Sequence, residues 1–222
     1  TEFVDFYNVI TVGGRQVDAR VTVVELVDQE GTGGTADQIE YIDESDSDAG
    51  ENDYMKIQTD YQVGSGNSYA EIKVAFFSDL ASSPESITLQ NLKMSTYDID
   101  SNQYIELNNF DSYSVSTDST LGISEVRGSF TRFKDTSGVS QSGLESRTKG
   151  RATVNFSSAS EITFRVGKIE PAGVSDTGSS TYYLDFSVGK SWSGLEAAVQ
   201  VAPSAVPDCY AGPIPKSIGS CV

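Results

Sequence analysis

"RQVDARVTVVEL", residues 15–26, sets Val17, Ala19, Val21 and Val23 at every second position, with Gln16, Asp18, Arg20 and Thr22 between them. Alternation at period two gives a strand one buried and one wet face, the pattern of an antiparallel sheet. The same spacing returns in "AEIKVAF" (Ala70, Ile72, Val74, Phe76), "RATVNF" (Ala152, Val154, Phe156) and "EITFRVG" (Ile162, Phe164, Val166). Runs rich in β-branched and aromatic residues add further strands at 3–12, 54–63, 86–99, 125–133 and 181–188. Between them stand "GG" at 13–14, "GTGGT" at 31–35, "GSGNS" at 64–68, "DTSG" at 135–138 and "SDTGSS" at 175–180, clusters with turn chemistry. About ten strands at this spacing predict an all-β antiparallel sandwich of jelly-roll type.

No linker interrupts the pattern before residue 190, so residues 1–190 read as one domain. Residues 191–222 differ in texture and hold four of the six prolines and both cysteines. Within this tail Leu195, Ala197, Val199 and Val201 alternate with Glu196 and Gln200. Three readings stand: a last strand of the same sandwich, a short helix with capping-box spacing between Ser193 and Glu196, or a projecting strand that pairs with a neighbour's sheet. "APSAVP" then acts as an extended spacer. Cys209 and Cys221 read as one disulfide, which closes a small terminal loop worth on the order of 3 kcal/mol and implies an oxidising, extracytoplasmic location. No apolar run approaches the roughly 18 residues of a membrane span, and no signal peptide is present, so Thr1 is expected to be a processed start.

Composition narrows function. The 222 residues carry 32 acidic and 15 basic side chains, a formal charge of −17. Such a surface repels phosphate backbones, which excludes nucleic acid as a natural partner and leaves cations, sugars or peptides. There is no histidine, so the common general base, every Ser-His-Asp or Cys-His arrangement and nearly every zinc site are missing. "VGGRQ" and "GTGGT" lack both the strand-to-helix context and the lysine of a phosphate loop.

Two acidic segments could hold a cation. In "TYDIDSNQYIELNNF" (96–110), Asp98, Asp100, Asn102 and Glu106 could bind calcium, since alternate oxygen-bearing side chains in a turn can converge on one centre. The EF-hand pattern fails there, with Gln103 in place of its glycine and Asn109 in place of its last glutamate. The alternative is a solvated turn whose Asp and Asn side chains bond their own backbone. "DESDSDAGEND" (43–53) reads as a loop held open by charge repulsion, with cation binding as its second reading. Asn155-Phe156-Ser157 is an N-glycosylation sequon, with Asn155 on the outward face opposite Val154 and Phe156.

"VGGRQVDARVTVVEL", "LQNLKMSTYDIDSNQYIELNNFDSYSV", "EITFRVG" and "YYLDFSV" together resemble a β-rich domain of very long bacterial surface proteins and adhesins. The resemblance runs from about residue 7 to 188. It rests on Asp98-Ile99-Asp100, Glu106, Phe110 to Tyr113, and Leu184-Asp185-Phe186; Ser101 departs from the glycine common at its place. It implies a cell-surface location, and for some such modules calcium that helps hold a ligand. A single sandwich with extended ends also resembles protomers of extracellular filaments built by strand exchange. The expectation is therefore a non-catalytic extracellular subunit that pairs terminal strands with copies of itself into a filament or matrix. Its rival is a calcium-dependent adhesin module that binds a peptide or glycan.

Overall fold

The computed structural model describes residues 3–27, 38–46, 53–60, 67–126, 129–138, 149–169 and 179–188. Thirteen strands occupy them: β1 (Phe3–Val12), β2 (Arg15–Val27), β3 (Gln38–Asp46), β4 (Asp53–Asp60), β5 (Asn67–Phe77), β6 (Leu89–Tyr97), β7 (Gln103–Leu107), β8 (Ser112–Val115), β9 (Leu121–Val126), β10 (Phe130–Asp135), β11 (Ala152–Ala159), β12 (Glu161–Ile169) and β13 (Ser179–Val188). No helix occurs among the described residues, so none there is long and apolar enough to cross a membrane.

The strands form two antiparallel sheets that pack as a sandwich. One has the order β1-β2-β5-β12-β7-β10-β9 and the other β3-β4-β13-β6-β11-β8. Pairing is nested: β7 lies against β10, β6 against β11, β5 against β12 and β4 against β13.

The alternating positions meet in the core. Val17, Ala19, Val21, Ile72, Val74, Phe76, Val154, Phe156, Phe164, Val166, Leu184 and Phe186 belong to a single buried cluster. Burying a Val, Leu, Ile or Phe side chain contributes about 1.5–3 kcal/mol, so register is fixed wherever this face is apolar. β1 and β2 join through Gly13 and Gly14, whose φ values of 57° and 80° suit a two-residue type I′ turn. The alternation of β2 breaks after Val23, where a bulge shifts the pairing with β5 and leaves Val24 exposed.

Several sequence expectations are corrected. "EVRGSFTRF" is not one strand: β9 and β10 pair as a hairpin across it, with Ser129 at a positive φ of 64°. The run 86–99 shortens to β6, because Asp98 takes a positive φ that strand geometry forbids. The acidic segment 43–53 is not wholly a loop, since Asp43–Asp46 and Asp53 lie on β3 and β4 and pair across them. Local propensity is overruled there by tertiary pairing. β3, β7, β8 and β9 carry the strand count beyond the expected ten.

Candidate functional site

The acidic turn leads from β6 in one sheet to β7 in the other. Asp98, Ser101 and Asn102 all have positive φ, at 62°, 47° and 68°. The Asp100 carbonyl accepts the Gln103 N–H at 2.7 Å, and the Asp100 N–H donates to Gln103 Oε1 at 3.3 Å. Backbone bonds tie the turn to its surroundings: Ile99 N–H to the Gly150 carbonyl at 3.0 Å, and Ile169 N–H to the Asn102 carbonyl at 3.2 Å. A Cβ at Gly150 would collide with the backbone of Ile99, so that glycine permits the close approach.

Asp135, which sequence reading placed in a plain turn, braces the same region. It is fully buried. It accepts hydrogen bonds from Ser137 N–H at 2.9 Å, Ser137 Oγ–H at 2.7 Å, Gly138 N–H at 2.8 Å and Asn102 N–H at 3.4 Å. Burial alone would raise its pKa; the hydrogen bonds from Ser137, Gly138 and Asn102 outweigh that and hold it below the ordinary carboxylate value.

Glu106 does not join the turn. It sits on the outer face of β7, 2% exposed, in a row that crosses four strands: Glu71 on β5, Arg165 on β12, Glu106 on β7 and Arg132 on β10. Arg132 Nε donates to Glu106 Oε1 at 2.7 Å, Arg165 Nη1 to Glu106 Oε2 at 3.5 Å and Arg165 Nε to Glu71 Oε2 at 2.8 Å. Aromatic rings lie beneath the cations: Tyr104 under Arg132 at 4.4 Å, and Phe130 and Tyr69 beside Arg165 at 4.1 and 4.7 Å. Gly167 makes room for the Tyr104 ring, which a Cβ there would strike. Among the described residues, no three Asp, Glu or Cys side chains gather as a cation cage. Asp98, Asp100, Asn102 and Glu106 are thus divided between a crossing turn and an ion-paired sheet face.

The edge strand β1 carries three of the six exposed large hydrophobic side chains among the described residues. Phe3 is 55% exposed, Tyr7 49% and Val4 39%. Among the described residues, β1 pairs on one side only, with β2. Arg20 on β2 grips Asp5 through two hydrogen bonds of 2.7 and 2.8 Å and lies 4.2 Å from the centre of the Phe3 ring. That grip holds the Asp5 carboxyl below its usual pKa. The pairing shifts between Phe6 and Ile10, where Asn8 has a φ of 60°. The Asn8 N–H donates to Asp18 Oδ1 at 2.9 Å, and the Leu80 N–H donates to Asp18 Oδ2 at 2.9 Å. Period-two reading put Asp18 on a wet face; the turn at 78–81 covers it, and no local signal announces that.

Asn155 is half-buried on the outer face of β11, where its Nδ2 donates to the Ser112 carbonyl at 3.4 Å and to Ser112 Oγ at 3.2 Å. Leu195, Ala197, Val199, Val201, Cys209, Cys221 and the boundary at residue 190 lie outside the described residues.

No protein-family model matches this chain, and no curated protein does. Among solved structures, the N-terminal domain of the Streptococcus gordonii adhesin Sgo0707 is similar, with a TM-score of 0.52 at 15% sequence identity. The match covers 83% of this chain and 46% of that one, so the chain spans about half the length of the structure it matches. At that identity the likeness is one of fold.

Proposed function

We propose that this chain is a non-catalytic, extracellular module of a cell surface, of adhesin type, that self-associates by terminal-strand pairing into a filament or matrix. The observation that carries the reading is β1. Ten residues long, it pairs only with β2 among the described residues, and Phe3, Val4 and Tyr7 are exposed. A sheet edge presents unpaired backbone donors and acceptors, and natural proteins blunt such edges with lysine, proline or very short strands. β1 contains no lysine or proline, whereas the edge strands β8 and β9 are only four and six residues long and the edge strand β3 carries Glu40, Asp43, Glu44 and Asp46. The fold shared with an adhesin domain supports a surface role, and the acidic, histidine-free composition supports contact over catalysis. Contacts that run head to tail without closing give fibres.

Light scattering and negative-stain electron microscopy of the purified chain, over about 1–100 µM, test the proposal. Concentration-dependent growth into linear or matrix-like particles is the expected result. Monodisperse single particles across the range would overturn it.

A further inference from the structure

Arg20, Arg132 and Arg165 each hold a carboxylate, and Arg15 lies exposed beside a hairpin turn. Arg151 has neither arrangement. It is only 8% exposed, and its Nε is shut off from solvent without a hydrogen-bond partner. Its guanidinium carbon stands 4.5 Å from the centre of the Tyr97 ring, itself buried. None of the ion pairs among the described residues includes Arg151. Asp98, Asp118 and Asp185, on neighbouring strands and turns, have interactions of their own. A buried charge without a counter-charge is costly, and an aromatic face offsets only part of that cost.

The backbone fixes where that cation stands. Arg151 precedes β11 between two turns: the Gly150 carbonyl accepts the Ile99 N–H at 3.0 Å, and the Lys149 carbonyl accepts the Thr120 N–H at 3.1 Å. Ala152, Val154 and Phe156 belong to the core, so Arg151 and Thr153 turn to the outer face of the sheet. The same alternation turns Ser95 and Tyr97 of β6 outward, and Tyr183 and Ser187 of β13. Register sets Tyr97 beside Tyr183 and Ser95 beside Thr153, and the Ser95 and Thr153 hydroxyls lie 2.9 Å apart. Ser187 Oγ is a further buried atom without a hydrogen-bond partner. None of the exposed large hydrophobic side chains described lies on this face, and β11 is enclosed by β6 and β8. Among the described residues the face thus lacks both the apolar pockets and the free strand edge by which peptides are held.

We propose that Arg151 anchors the carboxylate of a sugar acid, a hexuronic acid or an oligosaccharide that carries one, on the outer face of β13, β6 and β11. A planar guanidinium takes a carboxylate through two parallel N–H···O bonds. With Nε closed off, Nη1 and Nη2 make them, end-on. The narrow opening over Arg151 admits a small planar group and not a protein surface. Beside it the half-buried Tyr183 offers a ring edge and a hydroxyl to a pyranose. The formal charge of −17 disfavours anions at long range, so the short-range pair with Arg151 carries the selection. The site lies on interior strands of its sheet and is independent of strand pairing at β1.

The test is an NMR titration of the full chain with D-glucuronate, D-glucose, acetate and a glutamate-containing tripeptide, each to about 20 mM. Glucuronate is expected to give saturable shifts at the Arg151 Nε–H and at the Tyr97 and Tyr183 amides. Glucose, acetate and the tripeptide should each bind at least about ten-fold more weakly. Arg151→Gln should abolish the glucuronate response, whereas Arg15→Gln, which removes an equal charge far away, should keep it. Arg151→Gln should also melt no lower than the wild type, since the cation it removes has no ion pair in the fold. Absence of a saturable shift at Arg151 in the wild type overturns the proposal, as does undiminished binding by Arg151→Gln. Glucose equal to glucuronate removes the role of the carboxylate, and acetate or the tripeptide equal to it removes the sugar; either result overturns the assignment.

Discussion

Asp18 holds two backbone donors from separate segments, the bulged Asn8 and the turn residue Leu80. Replacement by Ala would leave both N–H groups without their acceptor, at about 1–3 kcal/mol each where water does not reach. Asp18→Ala is expected to lower unfolding free energy by about 3 kcal/mol, measured by urea titration. A loss below about 0.5 kcal/mol would show that water replaces the carboxylate. Asp135 makes a prediction about acid. Its folded pKa lies below its ordinary value of 3.8, so its contribution is complete above that value and disappears as pH falls through the folded pKa. Wild type should therefore lose stability more steeply than Asp135→Asn below about pH 4. Parallel stability curves for the two proteins over pH 2–5 would contradict this. Both carboxylates sit in stretches whose sequence shows only "polar residue among apolar ones" or "turn"; Asp18 is held by Asn8 and Leu80, and Asp135 adds the remote Asn102 to its neighbours Ser137 and Gly138.

For β7, β10 and β12, the relevant unit is the cross-strand row. Arg165 occupies an outward position that the alternation of "EITFRVG" identifies, whereas sequence reading sets Glu106 in the acidic turn rather than on a strand. That Glu106 meets two arginines, though, follows from register between strands far apart in the chain. Glu106 is nearly buried, and its arginines are mostly covered. Removal of its charge takes the carboxylate from Arg132 and leaves Arg165 with Glu71 alone, which is the costly way to break such a network. Glu106→Gln should cost about 2–4 kcal/mol in chemical denaturation. Glu161, by contrast, pairs with Lys73 at 3.7 Å on an exposed surface, and Glu161→Gln should cost no more than about 0.5 kcal/mol. Equal effects from the two substitutions would show that the row is no stronger than a surface ion pair. β9 and β10 carry a different lesson: "EVRGSFTRF" has strand composition throughout, and composition alone does not reveal a hairpin turn at its centre.

Across the molecule, a formal charge of −17 sets self-repulsion against the packed core. Salt shortens the range of that repulsion from about 30 Å at 0.01 M to about 8 Å at 0.15 M, while the covered Glu–Arg row is screened far less. The melting temperature is expected to rise between these salt concentrations, and any self-association to strengthen; a falling melting temperature would place surface ion pairs above net repulsion. The sequence alone determined the all-β class, the principal strands and the inward set from Val17 to Val166, because period-two burial is a local property of each strand. Only the tertiary structure decided the nested order of strands, the separation of Glu106 from the Asp98–Asn102 turn and the burial of Asp18 and Asp135. Those outcomes depend on which distant segments meet, and a pattern read along one chain segment contains no record of its partners.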